Sequence, residues 1–144
     1  MNEFDILDET ECFQLLAMSD LGRFVVIVDR YPIVFPVNYV LDDGVITFRT
    51  APGTKFDASL HSNVAFEVDH VDPDRRGAWS VLVLGSVDRL GMTDEERDRV
   101  QRLEVHPLVP GDKPGWVRIV PDRITGRRLR KTDDSLAFDI HGFL

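Results

Sequence analysis

Residues 48 to 55, Phe-Arg-Thr-Ala-Pro-Gly-Thr-Lys, place two cations, two hydroxyls and a glycine around one turn at the end of a β run. The strand Val45 to Thr50 stops at Ala51-Pro52-Gly53, and a helical pattern follows through Phe56, Ala58 and Leu60. Lys55 then stands near a helix start, where unpaired N–H groups and the helix dipole favour an anion. Arg49 adds a planar fork of donors, and one charge-assisted hydrogen bond is worth about 1.5–3 kcal/mol. Together Arg49, Thr50, Thr54 and Lys55 make a phosphate-binding set. Taken alone, the same cations also fit a solvated surface turn.

The elements around this turn come from capping and periodicity. Asp8 with Glu11 forms a capping box, and Cys12, Leu15 and Leu16 share one stripe, predicting a helix from Asp8 to about Ser19. A strand over 24–28, a turn at Asp29 to Pro32 and a strand over 33–41 read as a hairpin. Asp42-Asp43-Gly44 is a second tight turn into the strand at Val45, which suggests three sequential antiparallel strands. Pro36 lies inside the second of these. It cannot donate to a ladder, so it belongs at an edge or bulge and leaves nearby backbone free to bond something else. Asn38 lies on its face, with Tyr39 opposite; a polar residue on a wet face is the plainer reading of Asn38.

Beyond a short helix over 54–61, strands are expected at 63–69 and 79–87. The latter, Trp79 to Val87, is apolar on both faces, which calls for a central position or a partner subunit. Thr93 with Glu96 opens a charged helix reaching about Leu103. A strand over 116–120 and a last strand or bend over 124–129 complete a mostly antiparallel sheet of six or seven strands, a small closed or partly closed barrel.

The 144 residues suit one domain over 1–144. The formal charge of -8 argues against nucleic acid as a partner. Six of the 17 Lys and Arg nevertheless gather between 116 and 131, at Arg118, Arg123, Arg127, Arg128, Arg130 and Lys131. A solvated face accounts for most of them, a second phosphate or carboxylate contact for one or two. No apolar run approaches a membrane span, the acidic opening Met1 to Asp5 is unlike a signal peptide, and the lone Cys12 reads as a core residue. A cytoplasmic location is expected. His61, His70, His106 and His141 lack metal-ligand spacing, so no metal is expected.

The order of these features resembles the pyridoxamine 5'-phosphate oxidase-like flavin-binding split-barrel family. Phe35-Pro36-Val37-Asn38-Tyr39-Val40, Phe48-Arg49-Thr50 with Gly53-Thr54-Lys55, Val64 to Asp69, and Trp79 to Gly85 carry the resemblance. It implies a six-stranded antiparallel split β-barrel with a few short helices, paired as a homodimer with flavin mononucleotide (FMN) at the interface. Residues matching Pro36, Val37, Asn38 and Tyr39 would lie against the flavin ring, and those matching Arg49, Thr50, Thr54 and Lys55 would hold its phosphate. Trp79 and Ser80 would approach from the partner subunit, with Arg127 or Arg128 closing the site.

A flavin performs redox chemistry itself, so the absence of a Ser/His/Asp or Cys/His pattern is no objection to an enzyme. The C-terminal sequence Arg127-Arg128-Leu129-Arg130-Lys131 departs from the substrate signature of the vitamin-forming oxidase, which puts that substrate in doubt. The resemblance implies an FMN-dependent oxidoreductase of a small organic molecule. A reductase using the 8-hydroxy-5-deazaflavin cofactor, served by the basic cluster after Arg123, is one alternative. A non-catalytic flavin or haem binder is another.

Overall fold

The computed structural model describes residues 2–50, 63–88, 93–103 and 115–131. The short helix expected over 54–61, with Thr54 and Lys55, lies outside them.

Strand β1 (Asn2–Leu7) leads into helix α1 (Glu9–Met18), where the Asp8 carboxylate accepts from Glu11 N at 2.8 Å and Glu11 accepts from Asp8 N at 3.0 Å. This is the capping box read from the sequence. Strands β2 (Leu21–Val28) and β3 (Tyr31–Asn38) form a hairpin across the two-residue turn Asp29-Arg30, both at positive φ. Strands β4 (Val40–Asp42) and β5 (Val45–Thr50) form another across Asp43-Gly44, again both at positive φ. The mirror-image backbone of such turns matches strand twist. Strands β6 (Asn63–Val71), β7 (Gly77–Val87) and β8 (Gly115–Lys131) follow, with helix α2 (Asp94–Gln101) before β8.

All eight strands belong to one antiparallel sheet in the order β3-β2-β6-β7-β8-β5-β4, with β1 added on β8. Three expectations change. The run 33–41 is not one strand, because Tyr39 breaks it and sends its two parts to opposite ends of the sheet order. The three sequential strands are therefore two separate hairpins. The segments 116–120 and 124–129 are one strand, since the ladder shifts by one residue where Leu84 faces Arg123 and Gly85 faces Pro121. Asp122 is the extra residue of this bulge. With β1, which carries no sequence expectation, the six or seven expected strands become eight among the described residues.

A single residue joining the two ends of the order forces the sheet to curl on itself. Tyr39 pins that closure. It is 2% exposed, its N–H donates to Asp20 O at 3.0 Å, and its hydroxyl donates to Leu16 O at 2.6 Å. Its ring meets Phe66 edge-on at 5.0 Å, and Phe66 and Phe24 flank Phe48 at 6.3 and 5.2 Å. Each such buried ring contributes roughly 1.5–3 kcal/mol. Helix α1 closes one side of this core with Cys12, Leu15 and Leu16, all buried. It packs where β8 carries Gly126, since a Cβ there would stand 2.5 Å from Cys12 Sγ. Burial, with Asp8, Glu11 and Glu9 nearby, pushes the Cys12 thiol pKa up, as suits a core residue.

Trp79 to Val87 takes the central place expected of it, between β6 and β8. Val81, Val83 and Val87 face the core, while Leu82 and Leu84 remain exposed on the outer face.

Candidate functional site

The expected site residues fall into two groups. The first surrounds the open end of β5. Beyond Thr47, the last residue of β5 paired with β4, strand β5 pairs only with β8 among the described residues, with Arg49 opposite Trp116 and Thr50 opposite Gly115. Arg49 is half-buried, its guanidinium carbon 5.2 Å from the centre of the Trp116 ring. Its Nε is buried without a hydrogen-bond partner, and no described carboxylate forms an ion pair with the side chain.

A neighbouring arginine, whose Nε is likewise buried without a partner, differs in having a counter-ion. Arg118, two residues from Trp116 and 8% exposed, donates from Nη1 to Asp42 Oδ2 at 2.8 Å and to Thr47 Oγ1 at 3.3 Å. Arg99 of α2 donates to the same Asp42 oxygen at 3.1 Å, which ties the helix to the barrel with Val100 fully buried beneath it. Asp42 thus neutralises Arg118, and Arg49 has no counter-ion among the described residues. The sequence reading missed both Trp116 and this pair, because the register joining β5 to β8 has no local signal.

Strand β3 borders the same group. Val40 pairs with Thr47, and the chain leaves that ladder at Tyr39, whose N–H donates to Asp20 O. Pro36 is exposed on β3, whose second edge is unpaired among the described residues. This is the edge position expected of a strand proline. Val37 and Asn38 are half-buried, and the Asn38 amide donates to Asp20 O at 3.1 Å. A hollow of about 470 Å³ lies between Met18–Asp20 and Asn38–Leu41. The Tyr39 side chain belongs to the core, so at this hollow it is the backbone of Tyr39 that a ligand would meet.

The second group lies elsewhere. Trp79 pairs with Arg128 and Ser80 with Arg127. Trp79, Ser80 and Arg128 are half-buried, and Arg128 has no ion-pair partner among the described residues. Asp5, its register partner on β1, gives its carboxylate to Arg130 at 3.0 Å instead. Trp116 and Arg128 mark the positions of the two groups on β8, twelve residues apart toward its opposite ends. Among the described residues, no group of three or more His, Cys, Asp or Glu could hold a metal ion, and no helix is long and apolar enough to cross a membrane.

Comparisons with known proteins agree with this architecture. A family model described as pyridoxamine 5'-phosphate oxidase matches residues 8–128. The FAD binding protein from Mycobacterium smegmatis is similar at 39% identity and a TM-score of 0.72, covering 87% of this chain and 97% of that one. A Corynebacterium glutamicum structure named as a candidate pyridoxamine 5'-phosphate oxidase shows 37% identity and a TM-score of 0.78, covering 91% and 96%. The uncharacterized protein Rv0080 of Mycobacterium tuberculosis is 36% identical over 129 residues, 85% of this chain and 84% of that protein. On the extent of the family match, this chain belongs to the pyridoxamine 5'-phosphate oxidase family.

Proposed function

We propose that this protein is a flavin-dependent oxidoreductase of a small organic substrate, holding FMN at the interface of a homodimer. The observation that carries this reading is Arg49: a half-buried guanidinium with a buried, unpartnered Nε and no counter-ion among the described residues, braced on Trp116. A desolvated cation of this kind suits a phosphate, and Thr50, Thr54 and Lys55 follow it in the chain. The flavin-binding name of the Mycobacterium smegmatis relative supports the same cofactor class. When bound, a flavin supplies hydride and electron transfer, while the protein orients and shields it. Pro36, Val37 and Asn38 would line the ring.

The dimer follows from the separation of the two groups. Trp79, Ser80 and Arg128 join the Arg49 group as one site when they come from a second copy. The outer face is suited to such a partner, since Ile27, Val34, Leu82, Leu84 and Val120 are exposed there.

Absorbance titration of the apoprotein with FMN, FAD and riboflavin tests the reading. FMN should bind at least about tenfold more tightly than riboflavin, which lacks the phosphate. Equal affinities would remove the phosphate role of Arg49, and no binding of any flavin would overturn the assignment. Light scattering should give twice the mass of one chain at micromolar concentration.

A further inference from the structure

One row of side chains near the β6–β7 turn is chemically richer than the flavin assignment requires. His70 on β6 is the register partner of Trp79 on β7, and Trp79 that of Arg128 on β8. Direct partners share a face of the sheet, and with strands about 4.8 Å apart the outer two residues are separated by about 10 Å.

Each member is held differently. Trp79 rests partly on the core, and its ring centre lies 6.1 Å from that of His70, tilted by 32°. His70 Nε2 is 3.3 Å from Asp72 Oδ1. Asp72 is fixed by the loop, its N–H donating to Gly77 O and its carbonyl accepting from Arg75 N, both at 2.8 Å. Its carboxylate occupies space left by Gly77, where a Cβ would stand 2.5 Å from Oδ2. Arg128 completes the row as a guanidinium without an ion-pair partner among the described residues.

We propose that this row is a subsite for the organic substrate and selects a planar aromatic acid carrying a hydroxyl or amine on its far edge. Trp79 supplies a stacking face and Arg128 binds the carboxylate. His70, whose Nε2 faces Asp72 Oδ1 at 3.3 Å, offers Nδ1 as acceptor to the hydroxyl or amine when the ring carries its proton on Nε2. The proposal rests on the flavin reading for the redox role of the site, whereas the row itself lies within one protomer.

Calorimetric titration of the full chain with 4-hydroxybenzoate, benzoate and 4-hydroxybenzamide tests it. We expect 4-hydroxybenzoate to bind about tenfold more tightly than either analogue. Arg128→Gln should abolish the preference over the amide alone, and His70→Phe the preference over benzoate alone. A purely structural role for these residues would not separate the two preferences. Three equal affinities, no heat up to millimolar probe, or loss of both preferences in each variant would overturn the subsite. The comparison of probes on the unaltered chain needs no variant to fold. FMN titration of the same samples separates the two ideas: flavin binding without probe discrimination rejects the subsite alone, and discrimination without flavin binding rejects the flavin reading alone.

Discussion

Replacing Asp42 with asparagine should destabilise the protein through charge rather than through shape. Asp42 and Arg118 are each 8% exposed and meet at 2.8 Å, while Arg99 reaches the same oxygen at 3.1 Å from a half-exposed position. Asparagine keeps the side-chain size and leaves the Arg118 guanidinium buried without an anion. Breaking a buried pair on one side costs about 3–5 kcal/mol, to which the exposed Arg99 contact adds under about 1 kcal/mol. At about 2–4 °C per kcal/mol for a chain of this size, Asp42→Asn should melt roughly 10 °C below the parent. Adding Arg118→Met removes the stranded charge and should restore much of that loss.

Burial pushes the Asp42 pKa up, but hydrogen bonds and charge from Arg118 and Arg99 outweigh it and hold the carboxyl below its ordinary value. A lowered folded-state pKa contributes stability above the unfolded value of about 3.9, and the contribution fades as pH falls through the folded value. The melting difference between parent and Asp42→Asn should therefore shrink in acid. Thermal melts of the parent, both single variants and the double variant, followed by circular dichroism, measure each term. A single variant within about 2 °C of the parent would refute the buried-pair reasoning. A double variant melting as low as Asp42→Asn would assign the loss to packing.

Arg49→Ala should weaken FMN binding by about tenfold or more while leaving riboflavin unaffected, with Arg49→Lys intermediate, as read by absorbance titration. Burial first, and then the Asp69 carboxylate, push Glu67 up to about 7 despite Arg23 at 3.1 Å. A raised folded-state value means a contribution fully present below the unfolded pKa of about 4.3 and lost as pH rises through the folded one. The melting advantage of Glu67→Gln over the parent should accordingly grow from pH 5 to pH 8, and a constant difference would contradict it. Gly85→Ala should lower the melting temperature sharply, because a Cβ there would stand 2.2 Å from Val120 O across the bulge. An unchanged melt would show that the β8 backbone can yield.

Local signals in the sequence identified what local forces make. Asp8 with Glu11 and Thr93 with Glu96 mark the two helix starts, and Asp43-Gly44 marks its turn, because capping and positive φ are properties of a few adjacent residues. Long-range pairing was less visible. Asn2–Leu7 mixes acids with apolar residues and becomes a strand by pairing with β8, more than a hundred residues away. Pro121 lies between the two segments expected at 116–120 and 124–129, and the bulge opposite Gly85 absorbs it. Nor does the alternation over 33–41 reveal that Tyr39 carries the chain from one end of the sheet order to the other. Arg49, Trp79 and Arg128 were named from the sequence, but their division into two groups required the register. His70 was weighed only as a metal ligand and Asp72 drew no attention, since their significance depends on Trp79 and Gly77 in the next strand.

The placement of acids is more informative than their number. This chain has 25 Asp and Glu against 17 Lys and Arg, so counter-ions are abundant. Buried Arg118 has Asp42, and exposed Arg130 has Asp5. Asp5 bonds Arg130 although its register partner is Arg128, and Asp42 serves Arg118 and Arg99 although Arg49 lies on the same sheet. Among the described residues, the half-buried guanidinium groups of Arg49 and Arg128 thus have no counter-ion, a costly arrangement unless negative charge arrives from elsewhere. At about 3.3 Å per residue, the twelve residues between Trp116 and Arg128 correspond to as much as about 40 Å along a straight strand. One small anion would not bridge that path. On the proposed reading each guanidinium meets its own anion, phosphate at Arg49 and carboxylate at Arg128, and a second copy of the chain brings the two into one site.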